Sequence, residues 1–456
     1  MLDSSNWLLR HKQPYASEHG QRPTTGAIKL NSDPANAPLK RPTPVWTPPP
    51  RPDWVARLNE EGACMDLPGV VPLDENSVLA AAIRNTGLTD FGADDWREPF
   101  QVLMRGLDRE AELNLMGRLR IRQEIIQLLE ARLRIEDTCK RHPEITEQQI
   151  AQPMMIIGQG RSGTSLLQNV LSANPDNGGL TQWEAMFPCP PPEKASYGND
   201  PRIAKADLRI RQWNRVTPSM VSVHEFGGTV PIEDCEIFSI NFMSPSWFGC
   251  FAQVPSYDAY MATCDPLLAV RYHQRILQLL QWKNPRRHWV VKDVPHLDRL
   301  VPLLKVYPDA CFLWPHRDPV RALSSGIGAI GTLQHTGTDH VFKGGSLEWV
   351  SNPELSAARF DRVIDQLESG AVPRERIYHL LYRDLVSDTM GTLENIYRHF
   401  GLHLSAAGRK GMEQYMADNP RDSRPAHKVD MSAAEVARAR RAYQRYQEYF
   451  NIPDEL

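Results

Sequence analysis

The sequence lacks the features that place a protein in a membrane or in an oxidising compartment. Its 456 residues contain no run of about 18 apolar residues, the length that crosses a bilayer. The seven cysteines are scattered and include no Cys-x-x-Cys pair, which argues against a disulfide framework and against a zinc site. The first residues show no apolar segment of the signal-peptide kind. We therefore expect a cytoplasmic protein with no transmembrane segment.

A strong excess of one charge is also absent. The 52 basic and 55 acidic residues leave a net charge of −3. No overall field therefore points to nucleic acid, and we expect no nucleic-acid partner. The chain is long enough to bury a large core in two or three folding units, and its composition leaves a homo-oligomer open.

The N-terminal part of the chain predicts two regions. Residues 1–55 are polar and rich in proline, so they cannot bury enough apolar surface to offset the entropy of ordering. We expect an extended arm there: a disordered tail or, because Trp7 and Trp46 lie in it, a strap over a neighbouring surface. Leucine and isoleucine recur at three-to-four spacing within residues 75–140, with charges between them, and we therefore place a helical region at 56–148.

The rest of the chain alternates between strand and helix patterns, which predicts parallel βαβ units. We place this core at residues 149–430. The capping-box pattern Ser432-Ala-Ala-Glu435 then predicts a last helix, within 431–456, that packs on the core. The short apolar runs that predict strands are Met154–Ile157, Trp289–Val291, Cys311–Trp314 and Ile377–Leu381.

The most informative stretch follows the first of these strands. A loop with Gly158, Gly160 and Gly163 leads into an apolar helix pattern. Such a junction aims backbone N–H groups and a helix N-terminus at one point, where a phosphate can bind. The glycine spacing is that of the NTPase phosphate loop, but Thr164 stands where that loop has its lysine, and the cation of this loop is Arg161.

This loop, Gly-x-x-Arg-Ser-Gly-Thr-Ser-Leu-Leu, resembles the 5′-phosphosulfate loop of sulfotransferases that use 3′-phosphoadenosine 5′-phosphosulfate (PAPS). The resemblance implies a phosphate-loop-like α/β fold, with a parallel sheet flanked by helices. It also implies PAPS as co-substrate and no metal. The residues that it implies for the 5′-phosphosulfate are Gly160, Arg161, Ser162, Gly163, Thr164 and Ser165.

A second motif, His316-Arg317-Asp318-Pro319 with Ser325 further on, follows the Cys311–Trp314 strand. It resembles the part of these enzymes that grips the 3′-phosphate of PAPS, which assigns that role to Arg317 and Ser325. The physics agrees, because proline suits the first turn of a helix and a guanidinium offers a bidentate fork to a dianion. One departure is Asp318, which replaces an asparagine common in the cytosolic branch.

A third element supplies candidate catalytic residues. Lys292 ends an otherwise apolar strand, the position at which open α/β sheets place ligand-facing groups. It resembles the family's strand-end lysine, which contacts the bridging oxygen and the transferred sulfuryl group, and Arg161 adds a second cation. For the base we rank Glu184 first, by resemblance to the tyrosylprotein branch, and His296 second. A surface role for Glu184 stays open.

The resemblance extends over roughly residues 80–450 through weaker echoes of a bacterial branch, such as Glu233-Asp-Cys-Glu236. The expected reaction transfers a sulfuryl group from PAPS to the hydroxyl of a small or lipophilic acceptor. A deviant phosphate-loop kinase or NTPase and an inactive nucleotide-binding scaffold are the alternatives. Aromatic residues are dense between 183 and 260, where they form an apolar acceptor pocket or plain core.

Overall fold

The computed structural model describes residues 47–223, 225–340, 345–420 and 431–455, apart from a few side chains within them. These residues belong to one unit that begins at Val45. Trp7 and Trp46, the reason for considering a strap, lie outside the described residues, as does the side chain of Ser325.

Five parallel strands form one sheet, in the order β2-β3-β1-β4-β5. β1 therefore lies at the centre, between β3 and β4, and the register places Ile156 beside Lys292 on one side and beside Leu313 on the other. The predicted α/β fold with a parallel sheet flanked by helices is confirmed. The strands are β1 (Met154–Ile156), β2 (Asn177–Gly179), β3 (His288–Lys292), β4 (Cys311–His316) and β5 (Ile377–Leu381).

Helices make up most of the rest of the described chain. In chain order they are α1 (Asp53–Gly62), α2 (Leu67–Val70), α3 (Glu75–Thr86), α4 (Arg97–Arg109), α5 (Leu115–Arg141), α6 (Thr164–Ser172), α7 (Gln182–Met186), α8 (Pro201–Val216), α9 (Met220–Val223), α10 (Cys235–Phe238), α11 (Pro245–Phe251), α12 (Pro255–Met261), α13 (Pro266–Gln281), α14 (Leu300–Val306), α15 (Pro319–Gln334), α16 (Pro353–Glu368), α17 (Tyr382–Ser387), α18 (Thr389–His399), α19 (Ala406–Asp418) and α20 (Ala433–Phe450).

The end of the proline-rich arm lies on the folded core. The carbonyl of Pro49 is 3.2 Å from Nε2 of His335, and Arg51 pairs with Asp339 at 2.8 Å. Helix α1 then begins at Asp53, two residues before the arm was expected to end. These contacts hold residues 49–51 against the turn that follows α15, and the choice between tail and strap for the arm stays a prediction.

The last helix meets the strand that leads into the predicted 3′-phosphate motif. Ser432 and Glu435 form the capping box that the sequence predicts. Tyr446 is buried, stacks on Phe360 at 4.1 Å, and its hydroxyl lies 2.8 Å from Nδ1 of His316. Because His316 ends β4, this packing fixes the end of the strand from which Arg317 follows.

Candidate active site

The glycine loop between β1 and α6 has the backbone that its sequence predicts. Gly158 and Gly163 have φ of 106° and 95°, in the left-handed region that favours glycine. A Cβ at Gly158 would lie 2.7 Å from Trp314, and one at Gly163 would lie 2.9 Å from Tyr382. The loop thus packs closely on its neighbours and presents the N-terminus of a nine-residue helix, a site suited to an anion.

The side chains of the loop divide between structural and exposed positions. The hydroxyl of Ser162 is buried and donates to the carbonyl of Gln159 at 2.6 Å, which closes the turn. Thr164 is buried at the start of α6, whereas Arg161 is exposed and has a φ of 69°. The exposed cation and the backbone amides are therefore the groups that the loop offers to a ligand.

Lys292 lies beside this loop because β3 and β1 are neighbours in the sheet. Its ammonium is buried, 2.9 Å from a carboxylate oxygen of Glu233 and 3.3 Å from the hydroxyl of Ser165. A lysine buried at the end of an apolar strand needs such partners, since an unpaired charge is costly to remove from water. The strand-end lysine, the start of α6 and one carboxylate thus meet at one point.

Arg317 follows β4 on the other side of β1 and also contacts the loop. One of its N–H groups donates to the carbonyl of Arg161 at 3.1 Å, and its guanidinium lies over the ring of Tyr382 at 4.1 Å. Asp318, which departs from the family's asparagine, caps α15 through the amide of Val320 at 3.0 Å. The structure therefore brings Arg317 to the same edge of the sheet as the loop. Ser325 lies two turns into α15.

A carboxylate already lies on Arg317. Both carboxylate oxygens of Glu455 lie within 3.2 Å of Nε of Arg317, and Arg321 reaches the same group at 3.3 Å. The backbone amide of Glu455 donates to Asp318 at 2.7 Å, which holds this residue in place. The guanidinium that the sequence assigns to a phosphate is thus in contact with an acidic side chain.

A cavity of about 260 Å³, the central cavity, opens beside Lys292 and the loop. Its polar side holds Arg161, Ser165, Glu233 and Lys292. The aromatic stretch between 183 and 260 serves both expected purposes, because some of its rings line this cavity and others, such as Trp183 and Phe238, are core. The main apolar lining residues are Phe226, Trp247, Phe251, Ala322, Ala329, Ile330, Leu333, Leu347, Trp349 and Val350.

Glu184, the first-ranked base, does not line the central cavity. Its side chain is fully buried and completes a capping box with Thr181 at the start of α7. It also forms an ion pair with buried Arg286 and accepts from the hydroxyl of Tyr197 at 3.0 Å. Burial and this carboxylate raise the pKa of Tyr197 to about 12. The contacts of Glu184 are structural, and the side chain does not reach the cavity. The structure therefore does not support Glu184 as the base.

His296, the second-ranked base, is also turned away from the central cavity. It is fully buried, and its Nε2 lies 2.7 Å from the carboxylate of Asp234. His273 reaches the same carboxylate at 3.3 Å. Burial lowers the pKa of His296, so the ring is neutral at pH 7. This buried trio holds the chain segments behind the cavity together.

Glu233 is the carboxylate that the ranking of bases missed. It lines the central cavity, with about a quarter of its side chain exposed, and it lies 2.9 Å from Nζ of Lys292. The amide of Asp234 donates to the carbonyl of Lys292 at 2.9 Å, which fixes Glu233 beside the end of β3. The sequence pointed to this segment only through the family-like motif Glu233-Asp-Cys-Glu236, and the spacing of the motif did not distinguish Glu233 from the other two acids.

A buried acid adjoins this pair. Asp293 is fully buried, its carboxylate has no hydrogen-bond partner among the described residues, and Arg299 lies 3.6 Å away. Burial raises the pKa of Asp293 well above its ordinary value. Three possible metal-ligand atoms lie within 4.8 Å of one another here, one each from Glu233, Cys235 and Asp293. The ammonium of Lys292, however, already pairs with the Glu233 carboxylate. The expectation of no metal stays a prediction.

A parallel sheet with a phosphate loop, a strand-end lysine and a second arginine at one edge is the arrangement of a sulfotransferase. The model of the sulfotransferase family matches residues 153–406, more than half of the chain. The chain belongs to this family and is a sulfotransferase, and membership implies PAPS as the sulfuryl donor. The kinase and scaffold alternatives are not favoured.

Mycobacterial sulfotransferases are among the similar proteins. Omega-hydroxy-beta-dihydromenaquinone-9 sulfotransferase Stf3 of Mycobacterium bovis is 24% identical over 277 residues, which is 59% of this chain and 67% of that protein. Sulfotransferase STF1 of Mycobacterium tuberculosis superposes with a TM-score of 0.69 at 26% identity, over 81% of this chain and 98% of that one. STF9 of Mycobacterium avium shares the fold, with a TM-score of 0.70 at 23% identity, over 84% of this chain and 97% of that one.

Among the described residues, no helix is both long enough and apolar enough to cross a bilayer.

Proposed function

We propose that this sulfotransferase transfers the sulfuryl group of PAPS to the hydroxyl of an apolar acceptor, with Glu233 as the general base. The observation that carries the proposal is the contact of Glu233 with Lys292 at 2.9 Å, on the polar side of a cavity that the phosphate loop borders. Glu233 takes the role that was expected of Glu184 or His296, and a cytoplasmic location of the protein is part of the proposal.

The donor binds along the edge of the sheet. The loop amides from Gly160 to Ser165 and the Arg161 side chain hold the 5′-phosphosulfate, as helix N-termini hold anions. Arg317 holds the 3′-phosphate as a bidentate fork, and Ser325 assists it. The contact of Arg317 with the loop at 3.1 Å supports one continuous nucleotide site, because it joins the two halves.

The reaction moves one proton and one sulfuryl group. The acceptor oxygen attacks sulfur in line and Glu233 accepts its proton, while the bond from sulfur to the 5′-phosphate oxygen breaks and PAP (3′-phosphoadenosine 5′-phosphate) leaves. Lys292 and Arg161 stabilise the negative charge that grows on the leaving oxygen.

The acceptor is a hydroxyl compound with an apolar body. Trp247, Phe251, Trp349 and Ile330 line the central cavity and offer apolar contacts, with the polar groups confined to one side. The relative Stf3 has an acceptor of this kind by its name, omega-hydroxy-beta-dihydromenaquinone-9. We therefore place a lipid-like alcohol or phenol in this cavity.

Labelled PAPS and a panel of apolar alcohols and phenols test the proposal. We expect label transfer to apolar hydroxyl compounds, and Glu233→Gln should lower turnover by about 10²- to 10⁴-fold, the contribution of a general base. Glu193→Gln is the matched control, because Glu193 is exposed and, among the described residues, its carboxylate pairs only with exposed Lys283. Turnover by Glu233→Gln close to that of the unmodified protein would remove Glu233 from the role of base.

A further inference from the structure

A second cavity of about 350 Å³ lies outside the site described above. It is formed by α5, α8 and the turn after α15, and we call it the α5–α8 cavity. Its volume lies at the lower end of the range of about 300–1,000 Å³ that is typical of small-molecule pockets. Met116, Ile121, Trp213 and Phe251 give it an apolar wall, and Phe251 also lines the central cavity. The space has the size and lining of a binding site, yet the proposed reaction does not use it.

Arg120 enters this cavity from α5 without an acidic partner. Its guanidinium faces the rings of Trp213 and Phe251, 5.9 Å from each centroid. Within the described part of the chain, no carboxylate forms an ion pair with Arg120. Glu124, one helical turn further on, pairs with Arg209 at 2.7 Å instead. A partly buried cation that faces aromatic rings and forms no ion pair among the described residues favours a ligand that can pair with it.

The charges of the lining favour an anion. Arg120 and Arg209 contribute two guanidinium groups against the single carboxylate of Glu124. Burial lowers the pKa of Arg120 to about 10, so this side chain stays protonated at pH 7. A ligand that enters the cavity therefore meets one net positive charge beside two aromatic rings.

We propose that the α5–α8 cavity binds an organic anion with an apolar body, such as a fatty or aryl carboxylate. The anionic group pairs with the Arg120 fork, since a guanidinium and a carboxylate match in a bidentate geometry. The apolar body packs on Trp213 and Phe251. This site is separate from the nucleotide loop and does not depend on the identity of the acceptor.

Calorimetric titration with octanoate tests the proposal. The full chain is first saturated with PAP, so that the anion sites at Arg161 and Arg317 are filled. We expect one octanoate per chain, and at least tenfold weaker binding of octanamide, which has the same shape without the charge (about 1.4 kcal/mol). Arg120→Gln should weaken octanoate binding at least tenfold and leave octanamide binding unchanged, while Arg120→Lys should retain part of the octanoate affinity.

Two further variants keep the test decisive. Arg105→Gln is the matched control, because Arg105 is exposed on α4 and lies outside the cavity lining. Should Arg120→Gln fail to fold, Leu119→Asp places a carboxylate beside Arg120 at a position that is 45% exposed, and should also weaken octanoate at least tenfold. Equal binding of octanoate and octanamide, octanoate binding that survives both variants, or no octanoate binding to the folded full chain would overturn the proposal.

Discussion

Removal of the Glu455 carboxylate should strengthen the binding of PAP. In the structure this group contacts Arg317 at 3.0 Å and Arg321 at 3.3 Å, so a 3′-phosphate bound by Arg317 as proposed has to displace it. The side chains of Glu455 and Arg317 are 26% and 20% exposed, which makes these surface ion pairs. Surface pairs contribute about 0.2–1 kcal/mol each, so two pairs amount to about 0.4–2 kcal/mol. Glu455→Gln should therefore tighten PAP binding by about 2- to 30-fold.

Isothermal titration of PAP measures this effect. The gain should be largest at about 0.05 M salt and shrink at about 0.5 M, because salt screens exposed charges. Glu193→Gln should leave the dissociation constant unchanged, and adenosine 5′-phosphosulfate, which has no 3′-phosphate, should gain little from Glu455→Gln. If Glu455→Gln binds PAP no more tightly than the unmodified protein at low salt, the carboxylate does not compete with the nucleotide, and the reasoning fails.

The other predictions concern Lys292, Glu184 and Asp293. Lys292→Ala should lower turnover by two or more orders of magnitude and leave PAP affinity nearly intact. Single-turnover kinetics measure the first effect and titration with PAP measures the second. A loss of affinity without a loss of turnover would contradict this prediction. Glu184→Gln should lower the melting temperature, because it leaves the buried guanidinium of Arg286 without its carboxylate. The folded fraction of this variant should still transfer the sulfuryl group. A variant with full stability and no turnover would instead make Glu184 catalytic. Burial raises the pKa of Asp293 above the ordinary value of about 3.9, so the unmodified protein loses stability as the pH rises from about 4 through the raised value. Asp293→Asn should therefore raise the melting temperature at pH 8, with a smaller gain at pH 4, and an equal gain at both would contradict the shift.

Sequence patterns predicted the strands whose stability comes from apolar side chains. Ile377–Leu381 has the observed bounds of β5, and the other three predicted strands differ from the observed ones by one or two residues at an end. β2 escaped prediction because Asn177-Gly178-Gly179 has the composition of a turn. Pairing with β3 makes it a strand, and this tertiary contact has no signature in the three residues themselves.

In the candidate site, too, features set by neighbouring residues were predictable from the sequence, whereas contacts between residues far apart in the chain were not. The loop glycines and Arg317 were predictable, because strand–loop–helix motifs carry their geometry in their spacing. The structural role of Glu184 was also readable, since Thr181-Gln-Trp-Glu184 is a capping-box pattern that the resemblance overshadowed. The place of Glu233 beside Lys292 depends on a contact across 59 residues of chain, which only the fold brings about.

Helix α15 has a consequence that reaches beyond any one site. It begins beside Arg317, contributes Ala322, Ala329 and Ile330 to the central cavity, and ends at the turn that closes the α5–α8 cavity. Gly326, Gly328 and Gly331 each weaken it by about 1 kcal/mol relative to alanine, so its neighbours supply much of its stability. One helix thus borders the proposed donor and acceptor sites and leads into the turn that lines the proposed organic-anion site. If two of these ligands each shift the position of α15, thermodynamic linkage requires that each alters the affinity of the other by the same factor.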